Sequence, residues 1–233
     1  LMTTADGNIL LIRSTTINDG DIQHQHAVPG TNTRDYWVMK MSLQGNKIWG
    51  KCLGSSADES VESVCSSPDG GYVVAGTTDA TSRNGDITQV KGFGDIWVCK
   101  LSSDGNLQWQ RTFGGNSRDD AACIVPGIDD GFLVTGTTFS RDDNFSVNKG
   151  MGDGFLLKMS NEGEFSWSNT FGSTEEEKLF SVTRTSNNYI LAGETRFPET
   201  TINDGWVLTV GINGSLIKDK RIESAASRMR EAQ

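Results

Sequence analysis

The chain repeats itself, and that repetition constrains its fold more than any local pattern does. A block of roughly sixty residues recurs, which is the signature of a repeat architecture. Its clearest copy carries Ser67-Pro68-Asp69-Gly70-Gly71-Tyr72-Val73-Val74-Ala75-Gly76, then Gly94-Asp95-Ile96-Trp97-Val98-Cys99-Lys100-Leu101, then Asp104-Gly105-Asn106-Leu107-Gln108-Trp109. The pattern appears four times along 233 residues. A repeated scaffold specifies fold more sharply than role, because many functions are hosted on one scaffold.

Each copy reads as four short β-segments: an alternating run such as 60–66, the apolar runs 72–78 and 95–101, and a closing run 107–113. Tight turns join the first two (Asp6-Gly7, Asp69-Gly70, Asp130-Gly131, Asn187-Asn188) and the last two (Gln44-Gly45, Asp104-Gly105, Glu162-Gly163, Asn213-Gly214). Gly and Asn accept the positive φ that such hairpins need. Four antiparallel strands repeated around an axis describe an all-β β-propeller.

The spacing predicts a closed ring. From the third-strand aromatic of one copy to the second strand of the next, the distance is 35 residues (Trp37 to Tyr72), 35 (Trp97 to Phe132) and 34 (Phe155 to Tyr189). Running on from Trp206 past the C-terminus to Ile9 gives 36. We therefore expect one domain, 1–233, of four blades: 224–233 with 1–54, then 55–114, 115–172 and 173–223. Residues 224–233 would supply the first strand that 1–15 lack, so that both ends share one blade.

The repeat resembles the bacterial repeat named for the seven-bladed β-propeller, and the related delta-sixty repeat. The shared residues are Gly114-Gly115, Asp119-Asp120, Gly131 to Thr138, Asp153-Gly154-Phe155-Leu156-Leu157-Lys158-Met159 and Glu162-Gly163. The resemblance implies a secreted, periplasmic or cell-surface protein and no defined reaction. Copy four departs most, with Lys218 where the others have Trp49, Trp109 and Trp167.

Composition narrows the partners. A net charge of −9 disfavours nucleic acid and anionic membrane surfaces, which would repel the chain. No run of about 18 apolar residues is present, and the first residues do not read as a signal peptide, so no membrane insertion is expected and a leader is absent from this chain. Four cysteines without a Cys-x-x-Cys pair do not form a disulfide framework or a zinc site; Cys65 and Cys99 fall on apolar positions of the repeat and read as buried thiols.

Function is expected on the side carrying the second-to-third-strand connections, which are long and unequal. The acids Asp58, Glu59, Asp119, Asp120, Glu175 and Glu176 precede the first strands, where they would ring a channel mouth and attract a cation or a basic partner. Asp19, Asp21, Asp86, Asp143 and Phe145 are the candidates in the long loops. The loops Asn18 to Asp21, Asn84 to Asp86 and Asp142 to Asn144 are oxygen-rich enough for Ca2+ but lack the spacing and terminal Glu of an EF-hand. His24 and His26 share one face of an extended segment and are weak metal candidates. The aspartates Asp35, Asp95, Asp153 and Asp204 precede third strands and read as loop anchors; the recurring tryptophans read as packing between blades. Phe145 and Phe197, outside the repeat, are the candidates for an aromatic ligand platform.

No nucleophile elbow, Cys–His pairing or phosphate-cradling loop is present. The expected role is therefore a non-catalytic recognition or scaffold module for a protein or glycan, with no cofactor. The alternative is a polysaccharide hydrolase or lyase using two of the mouth carboxylates. A quinone-cofactor enzyme is a third reading, from the Asp-Gly-x-x-x-Trp fourth strands, but no cofactor ligands accompany them.

Overall fold

A computed structural model describes all residues except 27, 29, 82, 197–202 and 223–233. The described chain is all-β, with no helix. The first sheet holds β1 (Met2–Thr3), β2 (Ile9–Thr15), β3 (Asp35–Met41) and β4 (Lys47–Leu53). The second holds β5 (Glu59–Ser66), β6 (Tyr72–Thr78), β7 (Asp95–Leu101) and β8 (Leu107–Phe113). The third holds β9 (Asp119–Pro126), β10 (Phe132–Thr138), β11 (Asp153–Met159) and β12 (Phe165–Phe171). The fourth holds β13 (Glu177–Arg184), β14 (Asn188–Arg196), β15 (Asn203–Gly211) and β16 (Leu216–Ile222). Each is an antiparallel meander in chain order, as the repeat predicts.

Apolar runs become central strands because a strand covered on both faces has no solvent side. Every residue of β6, β7, β10 and β11 is buried. The first strand of each later sheet lies against the preceding sheet: β5 against β2 and β3, β9 against β5, β6 and β7, and β13 against β9, β10 and β11. These strands share a bulge at Glu62, Ala122 and Phe180, each skipped in the pairing with the second strand.

Two devices recur at the outer side of the sheets. The fourth-strand tryptophan covers the turn glycine of the next sheet, and its indole N–H donates to that turn: Trp49 to the Ser103 carbonyl and Trp109 to the Asn161 carbonyl, both at 3.1 Å. A Cβ added to Gly105, Gly163 or Gly214 would come within 2.8 Å of Trp49, Trp109 or Trp167, and all three glycines hold positive φ. Only glycine fits both constraints. The second device is a third-strand lysine bonded to the first turn of its own sheet: Lys40 to Asp6, Lys100 to Asp69 and Lys158 to Asp129. Asp129 therefore matches Asp69, and Asp130 takes the glycine position with φ 95°.

Three apolar clusters hold the sheets together, one between each consecutive pair. No such cluster joins the fourth sheet to the first among the described residues. The first-strand place in the first sheet is taken by β1, two residues from the N-terminal stretch itself, paired as Met2 with Leu10 and Thr3 with Ile9. Residues 224–233, expected to supply that strand, lie outside the described residues.

Candidate functional site

The long connections do not stand away from the sheets. In the first three sheets each folds down along the fourth strand of its own sheet. In the first sheet Lys47 of β4 donates to the Asp21 carbonyl at 2.8 Å and pairs with its carboxylate at 3.3 Å. In the second, Gln110 of β8 bonds Thr88, and in the third, Ser168 and Thr170 of β12 donate to the carbonyls of Asn144 and Val147. The loops are thus part of the packed structure. Phe145, expected as a ligand platform, is 1% exposed and packs on Phe155 at 4.7 Å between ring centroids; an aromatic in a loop that folds back finds the core. Phe197 lies outside the described residues.

The first connection leaves a cleft of about 420 Å³ between the first and second sheets. The loop gives it Asp21, His24 and His26, β4 gives Lys51 and Cys52, and the following sheet gives Asp86. His24 holds φ 67°, a left-handed conformation that costs a non-glycine residue about 1 kcal/mol. His26 is tied at both ring nitrogens: Nδ1 lies 2.9 Å from Asp35 Oδ2, and Nε2 lies 3.7 Å from Asp86 Oδ2. The hydrogen bond to Asp35 raises its pKa against the opposing effect of burial, with Asp86 adding to the rise. The two histidines therefore do reach one cleft, but His26 is engaged by carboxylates. Among the described residues no group of three or more His, Cys, Asp or Glu side chains is arranged to hold a metal.

The loop acids and amides act as staples between sheets. Asn84 Oδ1 accepts from Ser56 N–H and Asp86 Oδ2 from Gly54 N–H. In the next sheet Asp142 Oδ1 accepts from Asn116 N–H and Asn144 Oδ1 from Gly114 N–H. Asp143 pairs with Lys91 at 2.8 Å. Asp19 accepts from Ile22 N–H through its carbonyl, closing a turn. Oxygens read in the sequence as cation ligands thus accept backbone hydrogen bonds across the sheet boundary.

The acids preceding the first strands divide by one residue of register. Glu59, Asp119 and Glu177 each open a first strand and are fully buried. Asp58 instead bonds Arg34, Asp120 bonds Arg118, and Glu176 lies 3.4 Å from Lys178. Glu175 closes the connection through its backbone, its carbonyl accepting from Met151 N–H. The acidic pairs that look alike in sequence are therefore not equivalent; Glu177, the last of the acidic run 175–177 and passed over in favour of Glu175 and Glu176, is the counterpart of Glu59. Its signal was the constant spacing of five residues after Gly54, Gly114 and Gly172. The aspartates that open the third strands anchor loop exits as expected, Asp95 Oδ2 accepting from Lys91 and Gly92 N–H and Asp153 Oδ2 from Lys149 N–H.

Chemically the cleft is a polar, mixed-charge recess. All four cysteines are free, and Cys52 is pushed up to about 11 by burial and then by Asp35, so its thiol is protonated near neutral pH and is a poor nucleophile. Asp119 is pushed up to about 6 by burial, a value suited to a general acid, but it is 0% exposed and bonded to Thr138, Ser140 and Gly115. A substrate has no path to it.

No helix among the described residues is long and apolar enough to cross a membrane. No family model and no curated protein sequence matches this one. Among solved structures, one described as the crystal structure of the eukaryotic initiation factor aligns over 84% of this chain at 7% identity and a TM-score of 0.37. The chain spans about half of that protein, 51%, and a likeness of this grade carries no argument about fold or role.

Proposed function

We propose that the protein is a non-catalytic recognition module, a four-bladed β-propeller that binds a protein or glycan at its long-loop connections, chiefly in the cleft around His24 and Lys51. The observation that carries this is the cleft itself. It is lined by loop residues that break the repeat, it includes a strained His24, and the acids and thiols best placed by sequence for chemistry are buried or already bonded. Lys51 and His24 are exposed beside Asp21 and Asp86, a combination that suits a ligand rich in hydroxyl or carboxylate groups. The extracytoplasmic setting follows from the resemblance of the repeat alone.

Closure of the ring belongs to the same proposal. In support, β1 has two residues where β5, β9 and β13 have eight, so Leu11 to Thr15 of β2 pair only with β3 among the described residues. Gly45, the turn glycine of the first sheet, has nothing where a Cβ would lie, whereas Gly105, Gly163 and Gly214 are each covered by a tryptophan. The spacing from Asp35 to Glu59, Asp95 to Asp119 and Asp153 to Glu177 is 24 residues, and the same step from Asp204 reaches Arg228. A basic residue at the fourth junction would pair with Asp204 and tie the C-terminal segment, as a strand of the first sheet, to the fourth sheet.

Binding is tested by probing a glycan array and a displayed peptide library with the protein and with Lys51→Glu and His24→Ala. Hits weakened about tenfold by Lys51→Glu support the cleft. Hits unchanged by both variants, or glycan cleavage lost in Asp119→Asn or Glu176→Ala, overturn it.

A further inference from the structure

Three sheet junctions bury a pair of carboxylates around one glycine. The first residue of a third strand and the first residue of the next sheet's first strand meet over one glycine: Asp35 with Glu59 at Gly54, Asp95 with Asp119 at Gly114, and Asp153 with Glu177 at Gly172. A Cβ at Gly54 would lie 2.7 Å from both Asp35 Oδ1 and Glu59 Oε2. At Gly114 the corresponding distances are 2.5 Å to Asp95 Oδ1 and 2.8 Å to Asp119 Oδ2, and at Gly172 both are 2.6 Å. All six side chains are at most 1% exposed.

The outer sides of these pairs are satisfied. Glu59 accepts from Ser55 N–H, Ser55 Oγ and Thr78 Oγ1; Glu177 accepts from Ser173 N–H, Ser173 Oγ and Thr195 Oγ1. Asp119 accepts from Gly115 N–H, Ser140 Oγ and Thr138 Oγ1. One oxygen is left over at each junction, always the same one: Oδ1 of Asp35, Asp95 and Asp153 is buried and has no hydrogen-bond partner.

Two neighbouring buried carboxylates, one with an oxygen left without a donor, are strongly unfavourable as a pair of anions unless a cation or a proton accompanies them. A metal ion needs several oxygens around it. Each junction offers two carboxylates ringed by N–H and O–H donors, whose hydrogens repel a cation, and among the described residues no group of three or more His, Cys, Asp or Glu side chains is arranged to hold a metal, His26 at the first junction included. One proton needs only a single oxygen of the pair and removes one of the two charges. We infer that each of the three junctions holds a single proton on its pair of strand-opening carboxylates, so that sheet-to-sheet packing is an acid-stabilised device built into the fold.

The electrostatics agree. Burial raises Glu59, Asp95, Asp119 and Asp153, and the neighbouring carboxylate adds to the rise at Glu59, Asp119 and Asp153. The other charged groups acting on these pairs are His26 and Asp86 at the first junction, Lys91 and Asp143 at the second and Lys149 at the third. The second junction is the clearest case, since Lys91 is itself bonded to Asp143 and Asp119 is pushed up to about 6. Unfolded carboxyls release their protons near 4. A folded pair that keeps one proton to higher pH binds more protons than the unfolded chain between those values, so stability is fully present below about 4 and is lost as pH rises through the folded pKa. None of this depends on closure of the ring or on the identity of a ligand.

The test is thermal unfolding of the full chain from pH 5 to pH 8, with infrared spectra of the folded protein at both ends. We expect the midpoint to fall by about 6 °C or more, a protonated-carboxyl band at pH 5 that fades toward pH 8, and a flatter pH profile in Asp119→Asn, whose amide supplies the hydrogen bond without a titrating proton. Asp95→Asn at the same junction gives a second reading where Asp119→Asn folds poorly. A folded protein with no protonated-carboxyl band at pH 5, or a midpoint that is flat or rises over this range, overturns the inference. So does full recovery of the pH 8 midpoint on adding Ca2+ or Na+, which would place a cation between the carboxylates.

Discussion

The second and third sheets differ from the first and fourth in a way that the repeat hides. Every residue of β6, β7, β10 and β11 is buried, while β2, β14 and β15 alternate between buried and partly exposed positions. The residue types are similar; the neighbours are not. An interior sheet has a cluster of apolar side chains on each face, and a terminal sheet has one. In a repeat protein the contribution of a side chain is thus set by the interface it fills as much as by its own repeat.

The largest expected effect comes from one equivalent position in two sheets. Leu157 in the third sheet and Met39 in the first occupy the same place on the third strand, one fully buried and the other half-buried. Leu157→Ala should cost about 3–4 kcal/mol in denaturant unfolding, through lost burial and the cavity left behind, and Met39→Ala about half of that. Equal costs would mean that the outer face of the first sheet is covered in solution, as a closed ring requires.

Next in size is the lysine device, present in three sheets and replaced by Thr209 in the fourth. Lys100 is 3% exposed, and its ammonium donates to both oxygens of Asp69 and to Gln108. Lys100→Met keeps the apolar stem and removes those bonds, for an expected loss of about 1–2 kcal/mol at neutral pH. The hydrogen bond from Lys100 lowers the Asp69 pKa. A depressed carboxylate contributes stability above its unfolded value near 4, lost as pH falls through the lower folded value. Wild type and Lys100→Met should therefore differ most above pH 5 and converge as pH falls through the lowered folded value of Asp69. A gap that persists in strong acid would assign the effect to packing of the stem.

Much of this was legible in the chain itself. The strands β2 to β16, the turn glycines and the role of the tryptophans follow from recurrence, because a residue that returns at one position in each copy answers to the scaffold; β1 does not, since residues 224–233 were expected in its place. The candidate site was less legible. Asp58-Glu59 and Asp119-Asp120 look like equivalent pairs, yet pairing places Glu59 level with Asp119; adjacent acids in a strand point to opposite faces, so a one-residue slip exchanges a buried junction group for a surface ion pair. Loop composition also misled at Phe145 and Asp142, since it cannot say whether a connection stands in solvent or folds back onto the fourth strand. Burial of the loops depends on contacts between distant residues, which a periodic pattern does not encode.

The smallest effect separates the first loop from its counterparts. The loop exits of the second and third sheets are anchored to Asp95 and Asp153 by backbone N–H groups, which do not titrate. The first is anchored to Asp35 by the His26 N–H at 2.8 Å and also by its imidazole. Because His26 has a raised pKa in the folded chain, its contribution is complete below about 6.5 and is lost as pH rises through the folded value. Its imidazole is about one-third exposed, so screening keeps the contribution to about 1 kcal/mol or less. Corrected for intrinsic base catalysis, hydrogen exchange at the His26 amide should speed up severalfold between pH 6 and pH 8.5 while the Lys91 and Lys149 amides change less. His26→Gln should remove that difference at residue 26, and a pH response that survives the substitution would assign it to the Asp35–Glu59 pair beneath the loop.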